Sequence, residues 1–489
     1  MLFFNKKFIF FFIISLILIT FIIISFLSFQ KITRLQVKLE NQQELTIQKE
    51  KINIEKEKLN IEMEAKVSEM SEILENYDKN VSDIKQQIAL GIIDNKKLQF
   101  IQNNEDEYIN MKTEYKHHSV DFPILMLKKF TLPFLTSTGP PAYIYYHKEN
   151  LYLITGSGKL MFSSLDNIKK ENFIFKIIDT NFQNIIDQDY LSEGNPIVKD
   201  ILIISDKLYL SYTKKITDTC FKPAILEASL HTERIIFSDF FIVDECQPYH
   251  DFRNAGTLSN YKDNKILYSI GDYGSYETQG KNSPQILNSL LGKIISIDIK
   301  NNNFNILSMG HRNPQGIYYD SDNNIVYSTE HGPYGGDEIN LNLSPQEDIK
   351  NYGWAISSYG EHYGYPIKDD CNCKSIAPLN KSHKEFGFKE PLKFFVPSIA
   401  PTQIIKTEEF VKKQNKHIIY IGSLGNDITE GDLSIHQFVL DFDLNIKQHN
   451  IIPINERVRD LIYIKKLNKI FMFLESSGSI GVLENIEEL

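Results

Sequence analysis

From Phe8 to Phe29 the chain carries no charged residue, and the run is almost wholly Phe, Ile and Leu with a few Ser and Thr. Coiled as a helix it is long enough to cross about 30 Å of hydrocarbon. It reads as a transmembrane anchor over residues 1–30, because it is too long for the apolar core of a cleaved signal peptide and no small-residue cleavage pattern follows. Lys6 and Lys7 precede it and Lys31, Arg34 and Lys38 follow it, so loop charge does not set its orientation. Residues 31–90 contain neither Gly nor Pro and are rich in Glu, Lys, Gln, Asn, Ile and Leu, which predicts a helical stalk of about 90 Å. Ile32, Leu35 and Leu39, then Ile73, Tyr77, Ile84 and Ile88, fall in partial heptads. Two readings stay open: a coiled coil that makes the protein a homo-oligomer, or a single charged helix that spaces the head from the membrane.

Gly91 ends the helical pattern, and residues 91–118 read as a polar linker. From 119 to 489 the period changes. Short apolar runs separated by turn residues predict strands at Ala142–Tyr146, Leu151–Ile154, Ile201–Ile204, Leu208–Tyr212, Ile266–Ile270, Ile294–Ile299, Ile325–Ser328, Ile418–Ile421, Gln437–Phe442 and Ile470–Leu474. Strands repeated over about 370 residues without amphipathic helices between them exceed one sandwich, and an all-β propeller fits them. No strict repeat gives the number of blades.

The formal charge of −10 and the lack of long basic runs exclude nucleic acid as a partner. Four cysteines form two local groups, Cys220 with Cys246 and Cys371 with Cys373. Their spacing does not match common zinc sites, and disulfides in an oxidising compartment suit them better, with free thiols as the alternative.

One stretch of the head does not read as core. Gly310 to Gly316 is Gly-His-Arg-Asn-Pro-Gln-Gly, Glu330 to Glu338 is Glu-His-Gly-Pro-Tyr-Gly-Gly-Asp-Glu, and Asn351 to Trp354 is Asn-Tyr-Gly-Trp. These polar, Gly- and Pro-rich pieces surround only two short apolar ones, Ile317–Tyr319 and Ile325–Tyr327, and predict loops that hold a ligand. In this order, with Ser269–Gly274, Gly292–Ile294, Val396–Pro401, Gly422–Leu424 and Arg457–Asp460, they resemble the signature of the soluble quinoprotein glucose/sorbosone and aldose sugar dehydrogenase family. The likeness covers about residues 190–485. It implies a six-bladed β-propeller, pyrroloquinoline quinone and calcium, a sugar substrate oxidised at its anomeric carbon to a lactone, and a head in the periplasm. Electrons would pass to a respiratory acceptor at the inner membrane.

Residue by residue, the resemblance assigns Arg457 and Arg459 to the carboxylates of the quinone. Spaced by two on a strand, they share a face. The rival reading pairs them with Asp460 or Glu456. Arg312 and Asn313 match residues that approach the quinone oxygens, where a fixed cation stabilises developing negative charge. Gly332 and Pro333 match the positions whose carbonyls hold calcium, and Asp337, Glu338 and Trp354 read as turn and packing residues.

Three departures stand out. Arg253 occupies the place of the family's proton-abstracting His, and an arginine stays protonated, which leaves His250 as the candidate base. The expected cation after Leu424 is replaced by Gly425-Asn426-Asp427, and no clear counterpart of an expected Gln lies near Glu193–Pro196. The alternative to an enzyme is therefore a non-catalytic propeller that binds a saccharide or an envelope partner.

Overall fold

The computed structural model describes residues 14–31, 107–111, 125–132 and 141–485, with breaks at 171–172, 188, 191–195, 249–252, 276–278, 334, 361–382 and 412–416. His250, Cys371, Cys373 and the expected stalk lie outside the described residues. The chain divides into two units, 1–97 and 98–489.

Within the first unit, Ile14–Lys31 is a helix of 18 residues, apolar and long enough to cross a membrane. Its two hydroxyl side chains with described bonds turn inward: Thr20 donates to the Ile17 carbonyl and Ser28 to the Ile24 carbonyl.

The second unit is a six-bladed propeller. Blade 1 is formed by Ala142–His147, Asn150–Thr155, Leu160–Ser164 and Lys176–Ile177. Blade 2 has Val198–Ile204, Lys207–Thr217, Cys220–Ser229 and Ser238–Ile242, and blade 3 has Ala255–Tyr261, Lys265–Ile270, Lys293–Asp298 and Phe304–Met309 with the short parallel Lys350–Asn351 outside. Blade 4 contains Pro314–Asp320, Ile325–Glu330, Asp337–Asn342 and Lys393–Phe395; blade 5 contains Pro401–Lys406, His417–Ser423, Ser434–Leu440 and Ile446–Pro453. Blade 6 takes Val458–Ile464, Lys469–Leu474 and Ser479–Asn485 from the C-terminal end of the chain, then Leu125–Thr131 from its N-terminal side. That antiparallel pairing closes the ring, as barrel closure removes a free edge. Glu107–Met111 pairs in turn with Leu125–Thr131, so the stretch expected as a linker contains a strand of the last blade.

The predicted strands are mostly middle strands of blades. A middle strand is covered on both faces by the adjoining blades, so it reads as an unbroken apolar run. Ile418 to Ile421 and Ile470 to Leu474 are almost wholly inaccessible. Six clusters of buried side chains fill the six seams between blades, for example Tyr261, Leu267, Ile294, Leu307, Ile317 and Val326 between blades 3 and 4. Gln437–Phe442 is corrected to Ser434–Leu440, because Asp441 turns back to accept the Asn445 amide.

The apolar pattern missed third and outer strands such as Cys220–Ser229 and Ile446–Pro453, and also four first strands, which line the axis: Ala255–Tyr261, Pro314–Asp320, Pro401–Lys406 and Val458–Ile464. Their starts are bolted to neighbours by polar side chains. Ser269 donates to the Pro314 carbonyl at 3.0 Å, Thr329 to that of Thr402 at 2.6 Å, and Thr402 to that of Val458 at 2.8 Å. Asp200 accepts the Leu258 amide and Asp460 the Ile144 amide. Burial holds both carboxyls above the usual range, Asp460 at about 7. A cavity of about 520 Å³ lies beyond these aspartates toward Tyr145, Tyr318 and Tyr463. It is lined by the later residues of the first strands, whereas the motif loops sit at their starts.

Candidate active site

The Gly310–Gly316 loop leads into the first strand of blade 4, and Glu330 fixes it. The Arg312 amide donates to Glu330 at 2.8 Å, and the same carboxylate takes His311 Nδ1 at 3.0 Å and Asn340 at 2.8 Å. His311 is fully buried, bonded also to Ser308 and stacked on Tyr352. With its backbone held, the Arg312 guanidinium reaches over the Trp354 ring at 5.5 Å and donates to the carbonyls of His331 and Gly332 at 3.2 and 3.1 Å. Trp354 is oriented by Asp272, which accepts the indole N–H at 2.8 Å. Burial lifts the Asp272 carboxyl to about 6, against the pull of Arg312, Trp354 and Arg253.

The Glu330–Glu338 stretch is a loop folded on itself. A Cβ at Gly332 would stand 2.3 Å from the Gly336 carbonyl oxygen, so glycine is required there. Asp337 pins it: one oxygen accepts the Gly332 amide at 2.8 Å, and the other accepts the Ile399 and Ala400 amides and the Ser398 hydroxyl. The loop is thereby tied to the Val396–Pro401 segment, two pieces of the motif far apart in sequence. Glu338 continues the network. It accepts His383 Nε2 at 2.9 Å and Asn340 at 3.1 Å, and His383 Nδ1 meets the Ser357 hydroxyl. Burial disfavours charge on His383, but the bond and charge of Glu338, with Glu390 and Glu330 nearby, raise it above the ordinary value.

His331 carried no assignment from the sequence. Its Nε2 faces the Pro401 carbonyl at 2.9 Å and must carry the hydrogen, which leaves Nδ1 as an acceptor. Burial keeps the ring neutral; Asp337 opposes this, and the charges of Arg312 and Arg459 reinforce it. The charges of Arg312, ahead of blade 4, and of Arg459, in blade 6, thus both act on one imidazole.

Arg457 and Arg459 share a face, as their spacing requires, and both clasp Glu475: Arg457 Nε at 3.1 Å, with Arg459 Nε on the other oxygen. The rival pairing with Asp460 or Glu456 is corrected, since Glu456 instead takes Lys129 and Ser477. One acid between two arginines leaves a net positive edge. Asp427 does not oppose it; it is exposed and caps the turn Ile428–Glu430 by accepting the Thr429 amide.

Other expected residues have structural duties. The side-chain oxygen of Asn313 accepts the Ala255 amide at 3.1 Å and Gln315 at 2.8 Å, joining blades 3 and 4. What it can offer a ligand is its amide nitrogen. Lys293 is buried and donates to the carbonyls of Ser283, Pro284 and Leu291. At Arg253 the backbone is locked, its carbonyl accepting the Tyr273 amide at 3.1 Å.

The residues present suit a flat polyanion: the arginines Arg312, Arg457 and Arg459, an indole face and a neutral histidine. For calcium the fit is weaker. Gly332 and Pro333 offer two carbonyls where the ion takes six to eight oxygens, the Gly332 carbonyl already accepts Arg312, and no cluster of acidic, His or Cys side chains that could hold a metal exists among the described residues. A calcium ion there would draw its remaining oxygens from the ligand.

A six-bladed propeller with a cation-lined mouth at the start of its first strands defines the class of molecule. Residues 203–480, more than half of the chain, match the model of the Glucose / Sorbosone dehydrogenase family. The chain belongs to that family. Among curated proteins it is similar to the aldose sugar dehydrogenase YliI of Escherichia coli K12, 30% identical over 262 residues covering 48% of this chain and 64% of that one. It is also similar to quinoprotein glucose dehydrogenase B of Acinetobacter calcoaceticus, 30% identical over 220 residues, 40% of each. The chain spans about half the length of the curated relatives it matches. Among solved structures, the soluble aldose sugar dehydrogenase of Escherichia coli in its apo form superposes with a TM-score of 0.55 at 18% identity, covering 73% of this chain and 99% of that one; at this identity the likeness concerns the fold.

Proposed function

We propose that the head oxidises an aldose-type sugar at C1 to a lactone with pyrroloquinoline quinone, assisted by calcium at the Gly332 and Pro333 carbonyls. The observation that carries this reading is the Arg312 guanidinium, held over the Trp354 ring at 5.5 Å with its amide fixed by Glu330, beside His331, which burial first and the charges of Arg312 and Arg459 after it keep neutral. The quinone, when bound, supplies the two-electron acceptance that no side chain here provides. The chain's own residues do the rest. Arg457 and Arg459 hold carboxylates, and Arg312, braced by Glu330 and Trp354, places a permanent positive charge where negative charge develops. The proton from the sugar hydroxyl is assigned to His250. The apolar N-terminal helix anchors the chain in the inner membrane with the head in the periplasm, where a respiratory acceptor takes the electrons, and the stalk makes a homo-oligomer.

The test is dye-linked turnover by the full chain given quinone, calcium and a panel of aldoses. The reading expects activity that Arg312→Ala lowers by on the order of a hundredfold or more. Stoichiometric quinone uptake without turnover of any sugar would instead favour the non-catalytic propeller, for which Arg253 in place of a titratable histidine is the supporting observation.

A further inference from the structure

The first strands of blades 2 and 6 begin with the same pattern, Val198-Lys199-Asp200 and Val458-Arg459-Asp460. They also share a distortion, one that recurs at the starts of the first strands of blades 3, 4 and 5. Val198 pairs with Tyr212 and Asp200 with Ser211, so Lys199 is the extra residue of a bulge; Val458 pairs with Leu474 and Asp460 with Phe473, so Arg459 is the extra residue of the other. A bulge re-aims the side chain it carries. Each following aspartate bonds the next blade's first strand, Asp200 to Leu258 and Asp460 to Ile144. Lys199 is thus the counterpart of Arg459 two blades away, and Tyr143 holds the second position of blade 1 between them.

The environments agree. The Lys199 stem lies against Gly256 of blade 3, where a Cβ would stand 2.4 Å from the lysine Cβ. Among the described residues its ammonium bonds one acceptor, the Pro196 carbonyl at 2.7 Å, and no carboxylate among them pairs with it. Burial first, then Arg459, push its pKa down to about 7. Tyr143 is held protonated by burial, Arg459 opposing and Asp200, Glu475 and Asp460 adding to the effect, so its hydroxyl is a donor. A lysine so placed gains most from an anion.

We propose that Lys199, with Tyr143 and Arg459, forms a carboxylate-binding site on the channel wall made by blades 6, 1 and 2. Its occupant is a carboxylate of the ligand in the mouth, from either the quinone or an acidic sugar; only that choice of source rests on the function proposed above. Because the anion requires charged Lys199, binding takes up a proton when the pH exceeds the free lysine's value.

The experiment is calorimetric titration of the full chain in detergent with pyrroloquinoline quinone and, separately, with citrate, at pH 6.5 and 8.5. The native chain, Lys199→Met and Lys199→Arg are compared, with turnover of glucose and glucuronate alongside. The expected results are an affinity that falls up to about tenfold per pH unit above 7 in the native chain, a loss on the order of tenfold to hundredfold in Lys199→Met, and recovery with a flat pH profile in Lys199→Arg. The arginine arm separates Lys199 from Asp460, Asp200, Tyr143 and Glu475, which remain in every variant. Quinone uptake that follows this pattern assigns the carboxylate to the quinone. Unchanged quinone affinity with selective loss of glucuronate turnover in Lys199→Met assigns it to the sugar. Citrate following the pattern without quinone uptake keeps the site and removes the proposed function. Native binding that is flat between the two pH values, or Lys199→Met binding quinone, citrate and glucuronate as the native chain does, overturns the proposal; the native pH profile decides even if a variant fails to fold.

Discussion

At the scale of single residues, the site is set by buried acids that serve backbone amides. Asp337 accepts the amides of Gly332, Ile399 and Ala400 together with the Ser398 hydroxyl. An amide in its place turns an NH2 toward donors, so Asp337→Asn is expected to cost about 2–3 kcal/mol, read from the urea midpoint, and to weaken quinone uptake as the Gly332 loop loosens. Gly271 is a harder constraint, since a Cβ there would lie 2.0 Å from the Arg253 carbonyl oxygen. Backbone cannot swing aside, and Gly271→Ala should lower stability by about 3 kcal/mol or more. His383 gives a pH signature. Its folded pKa lies above the unfolded value of about 6.5, so its pairing with Glu338 stabilises fully below 6.5 and that contribution is lost as pH rises through the folded value. A series of urea midpoints upward from pH 6.5 should decline in the native chain and decline less in His383→Gln.

At the scale of elements, blade 2 is held by a covalent link. Cys220 opens the strand Cys220–Ser229 and is disulfide-bonded to Cys246 across 26 residues, beside the Phe221–Gln247 backbone pair. The pairing grouped from sequence is thus present, and it tethers the segment that leads toward His250. Closing a loop of that length contributes about 3 kcal/mol through the unfolded chain. Reduction, or Cys220→Ser with Cys246→Ser, should lower the unfolding free energy by about that amount in chemical denaturation. The strands themselves were unequally legible. Middle strands such as His417–Ser423 have both faces in seams and announce themselves as apolar runs, whereas Pro314–Asp320 and Pro401–Lys406 begin with Pro, Gln, Gly or Thr, among which Pro314, Gln315 and Thr402 bond the adjoining blades.

At the scale of the molecule, the ring closes only because Leu125–Thr131 joins a sheet whose three inner strands lie more than 300 residues later in the chain. A chain beginning at Leu98 keeps that strand and is expected to melt as cooperatively as the full chain. One beginning at Ala142 leaves Ser479–Asn485 as a bare edge and should lose cooperativity or aggregate, as read by calorimetry and light scattering. The sequence by itself determined the apolar span, the all-β head, the motif loops and the common face of Arg457 and Arg459, since each depends on residue type and spacing within a few positions. Only the tertiary structure decided that both arginines share Glu475, that the Asn313 oxygen serves blade 3, that Arg312 bonds the His331 carbonyl, and that Lys199 matches Arg459. Those facts depend on which strands and blades adjoin in the ring, and contacts between strands dozens to hundreds of residues apart leave no periodicity along the chain.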